Sequence, residues 1–225
     1  MAAYTPLDAV EISCFRPDLP PMIIRFHRGD LPADFDAGPS IAIDTETLGL
    51  NPYRDRLCVV QLSRGDGSAD VVQIVKGGPR PENLIRMLAD PSVLKIFHYA
   101  RFDVAVLRHA FGVETKPIYC TKIASKLART YTDRHGLKDL VRELLGIELS
   151  KQQQSSDWAA ETLSDAQLAY AASDVLHLHL LKERLDTKLA REDRSHLAKA
   201  CFDFLPARAE LDLAGWPDND IFAHT

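Results

Sequence analysis

Four carboxylates and one phenol stand at spacings that can do chemistry: Asp44, Glu46, Asp103, Asp174 and Tyr170. In the stretch IAIDTETLGL, residues 41–50, Ile41 and Ile43 alternate with smaller residues as in a strand. A period of two then puts Asp44 and Glu46 on one face. Two like charges there repel, so the pair is either solvated at a strand end or placed to hold a cation. Asp103 comes just after the apolar run VLKIFHYA, at the start of a helix, where a carboxylate also favours the macrodipole. Tyr170 and Asp174 are four apart in a helical segment and share a face. Each residue alone has a plain alternative: an acidic strand end, a helix first turn, a packed tyrosine beside a solvated aspartate. The ordered set is the informative feature, Asp-x-Glu on a strand, an Asp after a later strand, then Tyr-x-x-x-Asp on a late helix.

The elements that must position these groups are legible around them. IAIDTE is followed by LCVVQLSR and ADVVQIV, two β-rich runs separated by GDG, which reads as an antiparallel hairpin beside the first strand. RPENLIRMLAD carries proline near a helix start and apolar residues three to four apart. VLKIF is a buried strand, and FDVAVLRHAFG sets Val104, Leu107 and Phe111 on one helical stripe closed by Gly112. HGLKDLVRELLG forms another helix ending at Gly146, and Ser164 with Gln167 makes a capping box for a long helix beginning at LSDAQLAYAASDVLHLHLLKERL. A strand meander followed by strand and helix in alternation predicts an α/β fold, a mixed β-sheet flanked by α-helices.

The chain has 225 residues, 46% hydrophobic and 26% charged, enough to bury a sizeable core. Its formal net charge of −5 argues against long electrostatic tracking of duplex nucleic acid and leaves a locally held anionic ligand open. Cys14, Cys58, Cys120 and Cys201 lack any C-x-x-C spacing, so neither a zinc site nor a disulfide framework is indicated, and a reducing, cytoplasmic setting is expected. No apolar run of membrane-spanning length and no signal-peptide pattern is present in the sequence, so no membrane partner is expected. Residues 1–21, including RPDLPPM, show no clear period and are expected to form a flexible extension, with Met22 as an alternative start of the compact region.

The acidic set with its tyrosine resembles the DEDDy class of 3′-5′ exonucleases, and DTETLGL, HYARFD and SDWAAETLSDAQLAYAASDV are similar to ribonuclease D family segments. The likeness runs from about residue 40 to 185 and implies the ribonuclease H-like fold of DEDD exonucleases. Ribonuclease D proper continues into helical nucleic-acid-binding domains, whereas this sequence ends soon after its nuclease core. Its length and closing RAELDLAGWPDNDIFAHT look most like the bacterial nano-RNase C group, which implies a short-oligonucleotide exonuclease.

That resemblance implies two divalent ions stabilising the attacking and leaving oxygens of phosphodiester hydrolysis. Oxygen ligands alone favour Mg²⁺ or Mn²⁺ over Zn²⁺. By resemblance, Asp44 bridges both ions, Glu46 and Asp174 complete one site, and Asp103 holds the second through water. Tyr170, as a phenol of ordinary pKa about 10, is better suited to orienting the attacking water than to acting as a base. Glu46 and the backbone of Thr45 and Thr47 are candidates for the terminal 3′-hydroxyl. Leu48 is a candidate wedge between bases or a cover for the sheet edge. His98 and Phe102 are candidate base or sugar contacts or ordinary core groups, and Lys151 and Gln154 are candidate phosphate contacts or members of a solvated loop.

The expected partner is the 3′ end of short single-stranded RNA, hydrolysed to 5′-mononucleotides. DNA or structured RNA as substrate, and a non-catalytic nucleic-acid-binding module on a nuclease fold, are the alternatives. The expected organisation is an extension over 1–21, the exonuclease domain over 22–200, and a docking tail over 201–225. That tail is too apolar to be free and, with its prolines, too broken for one helix. It packs on its own domain or on a neighbouring subunit. The resemblance implies a homo-oligomer, an octameric ring with inward-facing sites.

Overall fold

A computed structural model of the chain describes residues 10–16, 19–149, 153 and 155–224. In chain order the elements are β1 (Val10–Arg16), β2 (Leu19–Arg28), β3 (Ser40–Thr47), β4 (Leu57–Ser63), β5 (Ser68–Gln73) and α1 (Glu82–Ala89). There follow β6 (Leu94–Phe97), α2 (Ala100–Phe111), β7 (Ile118–Cys120), α3 (Thr121–Ala128), α4 (Leu137–Leu145), α5 (Asp165–Val175), α6 (Leu178–Arg191) and α7 (Ser195–Leu213).

The strands form one mixed sheet in the order β1-β2-β5-β4-β3-β6-β7. The expected meander is β3-β4-β5, antiparallel throughout, with Asp44 opposite Gln61 and Val60 opposite Val72. β6 and β7 then add in parallel beyond β3, β6 reached through α1 and β7 through α2, which packs against the sheet. Every residue of β4 is buried, so both faces of the sheet centre are covered, and α2 and α5 both pack against β3 and β4. Ile41, Ile43, Val59, Leu62, Ile96, Leu107, Ala171 and Val175 are completely or almost completely shielded in that core. Burying each large aliphatic side chain there contributes about 1.5–3 kcal/mol.

Local signals explain the element ends. Ser164 Oγ accepts from the Gln167 backbone N–H at 3.3 Å, and Gln167 Oε1 accepts from the Ser164 N–H at 3.0 Å, the reciprocal capping box that starts α5. Gly112 and Gly146 close α2 and α4 in the left-handed conformation, which glycine adopts without a Cβ clash.

Three expectations are corrected. The described part of residues 1–21 is paired: β1 and β2 form an antiparallel hairpin, and β2 lies parallel to β5, with Met22 inside the strand. Residues 1–9, 17 and 18 lie outside the described residues. Backbone pairing gives a weaker sequence signal than alternating hydrophobicity, and RPDLPPM masks it with prolines. The long helix after Ser164 is two helices, broken at Leu176 and His177, so α5 lies on the sheet while α6 turns to pack on α3 and α4. Residues 201–213 are not a separate tail but the second half of α7, which runs through Pro206. Ala198, Phe202, Leu205 and Ala209 make a buried stripe along α7, and the helix packs most extensively on α2. That burial offsets the roughly 3 kcal/mol that an interior proline costs. No helix among the described residues is long and apolar enough to cross a membrane.

Candidate active site

Strand alternation, the parallel entry of β6 and the phase of α5 bring the predicted acids to one place. Asp44 and Glu46 project from the same face of β3, and Asp174 reaches them from α5. One carboxylate oxygen from each of these residues lies within 4.8 Å of the other two. Asp103, in the first turn of α2, is buried, and its Oδ1 accepts from the Thr45 hydroxyl at 2.7 Å. Thr45 faces away from Asp44 by the pleat of the strand, so one strand supplies both an acid pair and the hydroxyl that fixes a third acid. Tyr170 stands one turn before Asp174 on α5, and the two groups interact electrostatically.

The electrostatics are those of a site short of positive charge. Burial, followed by the charges of Asp103, Asp174 and Glu46, raises the Asp44 carboxyl well above its ordinary range. Burial and the charges of Asp174 and Asp103 push Glu46 up to about 8. Burial carries Asp103 to about 7 against the opposing hydrogen bond from Thr45, and Asp174 to about 7 against that from Tyr170. The Tyr170 phenol is raised as well, by burial and then by the charges of Asp174, Glu46 and Asp44. Clustered carboxylates, with neither His nor Cys among the grouped donors, fit a hard divalent cation. A cation between them reverses the balance that favours protonation.

The other predicted residues divide. Leu48 is about half exposed at the end of the acidic strand, free to meet a ligand. The Thr47 hydroxyl donates to the Gly49 carbonyl and holds the start of the β3–β4 loop. His98 shares a 2.9 Å hydrogen bond with Thr121, and burial, with the Lys122 charge, pulls the imidazole down to about 3. It is therefore a neutral group tied to α3. Phe102 is half-buried beside Asp103 and packs against the core. Lys151 and Gln154 lie outside the described residues. Trp158 is 3% exposed with its ring 6.1 Å from that of Tyr170, a packing anchor behind the tyrosine.

Gln61 escaped the sequence reading. It is fully buried on β4 directly opposite Asp44 and donates its amide to Asp44 Oδ2 at 2.7 Å. A neutral donor steadies the carboxylate without supplying the charge a metal would supply. Its signal was a polar residue inside the apolar run LCVVQLS.

Residues 30–190 match the DNA polymerase A-type exonuclease family, described as a 3′-5′ exonuclease. Ribonuclease D of Gluconacetobacter diazotrophicus is 38% identical over 156 residues, covering 69% of this chain and 39% of that protein. The chain thus spans about two fifths of the length of that curated relative. Among solved structures, Brucella melitensis NrnC with bound Mg²⁺ is 62% identical with a TM-score of 0.86, covering 90% of this chain and 99% of that one. NrnC of the same organism bound to pGG is 63% identical with a TM-score of 0.87, covering 90% and 98%. The fold with its parallel and antiparallel strands, the converging acids and the match over residues 30–190 agree, and the chain belongs to the 3′-5′ exonuclease family.

Proposed function

We propose that this protein is a divalent-metal-dependent exoribonuclease that removes 5′-mononucleotides from the 3′ ends of short single-stranded RNA, dinucleotides included. The observation that carries the reading is the convergence of Asp44, Glu46 and Asp174 within 4.8 Å in a chain of the exonuclease family. Similarity to NrnC bound to pGG over nearly that whole chain supports a short substrate.

Asp44, Glu46 and Asp174 would hold one ion, and Asp44 with Asp103 would hold a second, Mg²⁺ or Mn²⁺ in each case. When bound, such ions stabilise charge on the phosphoryl and leaving oxygens of an in-line displacement. The chain's own groups do the rest. Thr45 keeps Asp103 in place and Gln61 keeps Asp44 in place. Tyr170, beside Asp174 and backed by Trp158, orients the attacking water; its raised pKa suits a hydrogen-bonding phenol and not a base. Attack of water on phosphorus breaks the bond to the 3′-oxygen of the penultimate nucleotide and releases the terminal nucleotide with its 5′-phosphate. Glu46 and the Thr45 and Thr47 backbone take the terminal 3′-hydroxyl, and exposed Leu48 packs against the terminal bases. Phe102 at its sugar or base and Lys151 and Gln154 at phosphate complete the proposed contacts.

We also infer a cytoplasmic homo-oligomer, a ring whose sites face inward. Free thiols at buried Cys58 and Cys120 suit a reducing compartment, and exposed Leu180, Leu197, Phe204, Trp216 and Phe222 suit subunit contacts. The test is hydrolysis of end-labelled RNA and DNA di- to decanucleotides with Mg²⁺, Mn²⁺ or EDTA. Metal-dependent release of 5′-mononucleotides from the 3′ end of short RNA is expected. No hydrolysis with either metal overturns the reading, and faster hydrolysis of DNA overturns its substrate class.

A further inference from the structure

Asp212 is a carboxylate in the last turn of α7, where the helix macrodipole disfavours it, and it is 8% exposed. Two guanidinium groups hold it. Arg101 of α2 grips it in a fork, Nε to Oδ2 at 2.6 Å and Nη2 to Oδ1 at 2.8 Å. Arg208, one turn back on α7, donates to Oδ1 at 2.6 Å. Both arginines continue into the segment after the helix: Arg101 donates to the Pro217 carbonyl, and Arg208 to the Trp216 carbonyl at 2.6 Å and the Pro217 carbonyl at 3.1 Å. The Tyr53 hydroxyl donates to the Asp212 backbone carbonyl at 3.3 Å.

Arg101 is two residues before Asp103, and Tyr53 sits in the loop that leaves the acidic strand after Glu46 and Leu48. The C-terminal end of α7 is therefore tied to two segments that carry the site, from outside the 30–190 span shared with the exonuclease family. Between those segments lies a cleft of about 360 Å³, walled by Leu50, Tyr53, Tyr99 and Phe102, with Pro217 and Asp218 closing it. Packing of apolar side chains alone would hold α7 on α2 equally well, since a buried ion pair is weak grounds for stability. A bidentate fork adds direction, fixing the first turn of α2 against rotation.

We propose that Arg101 and Asp212 are positioning residues, a clasp by which the C-terminal helix sets the placement of Asp103 and Phe102 relative to the β3–β4 loop. The inference rests on the exonuclease reading of the site. Its cost is geometric, because a misplacement of about 1 Å at a reacting centre can lower a rate by about a hundredfold.

The test uses the full chain with Arg101→Gln, Asp212→Asn, the double variant, and the milder Arg101→Lys and Asp212→Glu, measured for kcat, KM and Tm on a short oligoribonucleotide well below Tm. Wild type and Asp44→Asn are run alongside. Each of the first two variants is expected to lose about tenfold in kcat or more with melting still cooperative, the double variant to lose no more than the worse single, and Arg101→Lys, which keeps charge without the fork, to fall between. Wild-type kcat in cooperatively folded Arg101→Gln and Asp212→Asn overturns the clasp, as does a purely additive double variant. Should either of those variants fail to fold, the lysine and glutamate forms decide, with a wild-type kcat in both overturning it. Failure of the underlying reading shows differently, as absence of Asp44-dependent hydrolysis in the wild type.

Discussion

At the scale of single residues, the site is defined by which groups lack a countercharge. Asp44 has a neutral donor, Gln61, and three acidic neighbours that raise its pKa. Asp44→Asn removes one repelling charge and one metal ligand together. It is expected to lower turnover by about a thousandfold or more, as loss of several kcal/mol of charge stabilisation requires, while the metal-free protein melts no lower than wild type. Steady-state kinetics and a melt in EDTA check both halves; turnover near wild type would sink the metal assignment. Tyr170→Phe deletes a hydroxyl and leaves every proposed ligand in place. A loss of about a hundredfold in kcat is expected, with the Mg²⁺-induced rise in Tm retained. If the metal response collapsed and activity persisted, the phenol would be a structural support for Asp174.

At the scale of elements, the site is a meeting of β3, the first turn of α2 and the C-terminal half of α5, each held by its own local device. Ser164→Ala removes the cap of the helix that carries Tyr170 and Asp174. A loss of about 1 kcal/mol is expected in denaturant melts, with little change in the rate once folded. An unchanged midpoint would show that sheet packing alone sets α5. The convergence also makes stability depend on pH. Glu46, Asp103 and Asp174 have folded values of about 8, 7 and 7, above their ordinary carboxylate values. The folded protein therefore binds these protons more tightly than the unfolded chain. The resulting stabilisation is full below about pH 4 and is lost as pH rises through 7 to 8. In EDTA, this contribution makes Tm fall between pH 5 and 8, by roughly 2–4 °C for each kcal/mol lost. Saturating Mg²⁺ should reverse the fall at pH 8, where about 100 times its dissociation constant contributes roughly 2.7 kcal/mol. A melting temperature in EDTA that rises over this range, with no Mg²⁺ response at pH 8, would contradict the described cluster.

At the scale of the whole molecule, α7 belongs to the domain and not to an appendage. Cutting the chain before Cys201 would split a helix whose Phe202, Leu205 and Ala209 are buried. Assembly is better tested by surface changes, since Phe204 and Phe222 have rings 5.9 Å apart and remain exposed, Phe222 by 77%. Light scattering of the full chain is expected to show an oligomer, and Phe222→Asp to weaken it without lowering the monomer's melting temperature. A monomeric wild type at micromolar concentration would remove the ring. The sequence by itself determined the meander, the helix ends at Gly112 and Gly146, the capping box at Ser164 and the set Asp44, Glu46, Asp103, Tyr170 and Asp174. Those features are written in local chemistry: a period of two, a left-handed glycine, a reciprocal cap, and an ordered set of acids with a tyrosine. The β1–β2 hairpin, the break at Leu176 and His177, the passage of α7 through Pro206, and the contacts of Gln61, Thr45 and Asp212 were decided by tertiary structure. The Thr45 and Asp212 contacts depend on partners distant in sequence, Asp103 for Thr45 and Arg101 for Asp212, and only folding sets the distance and direction between such groups.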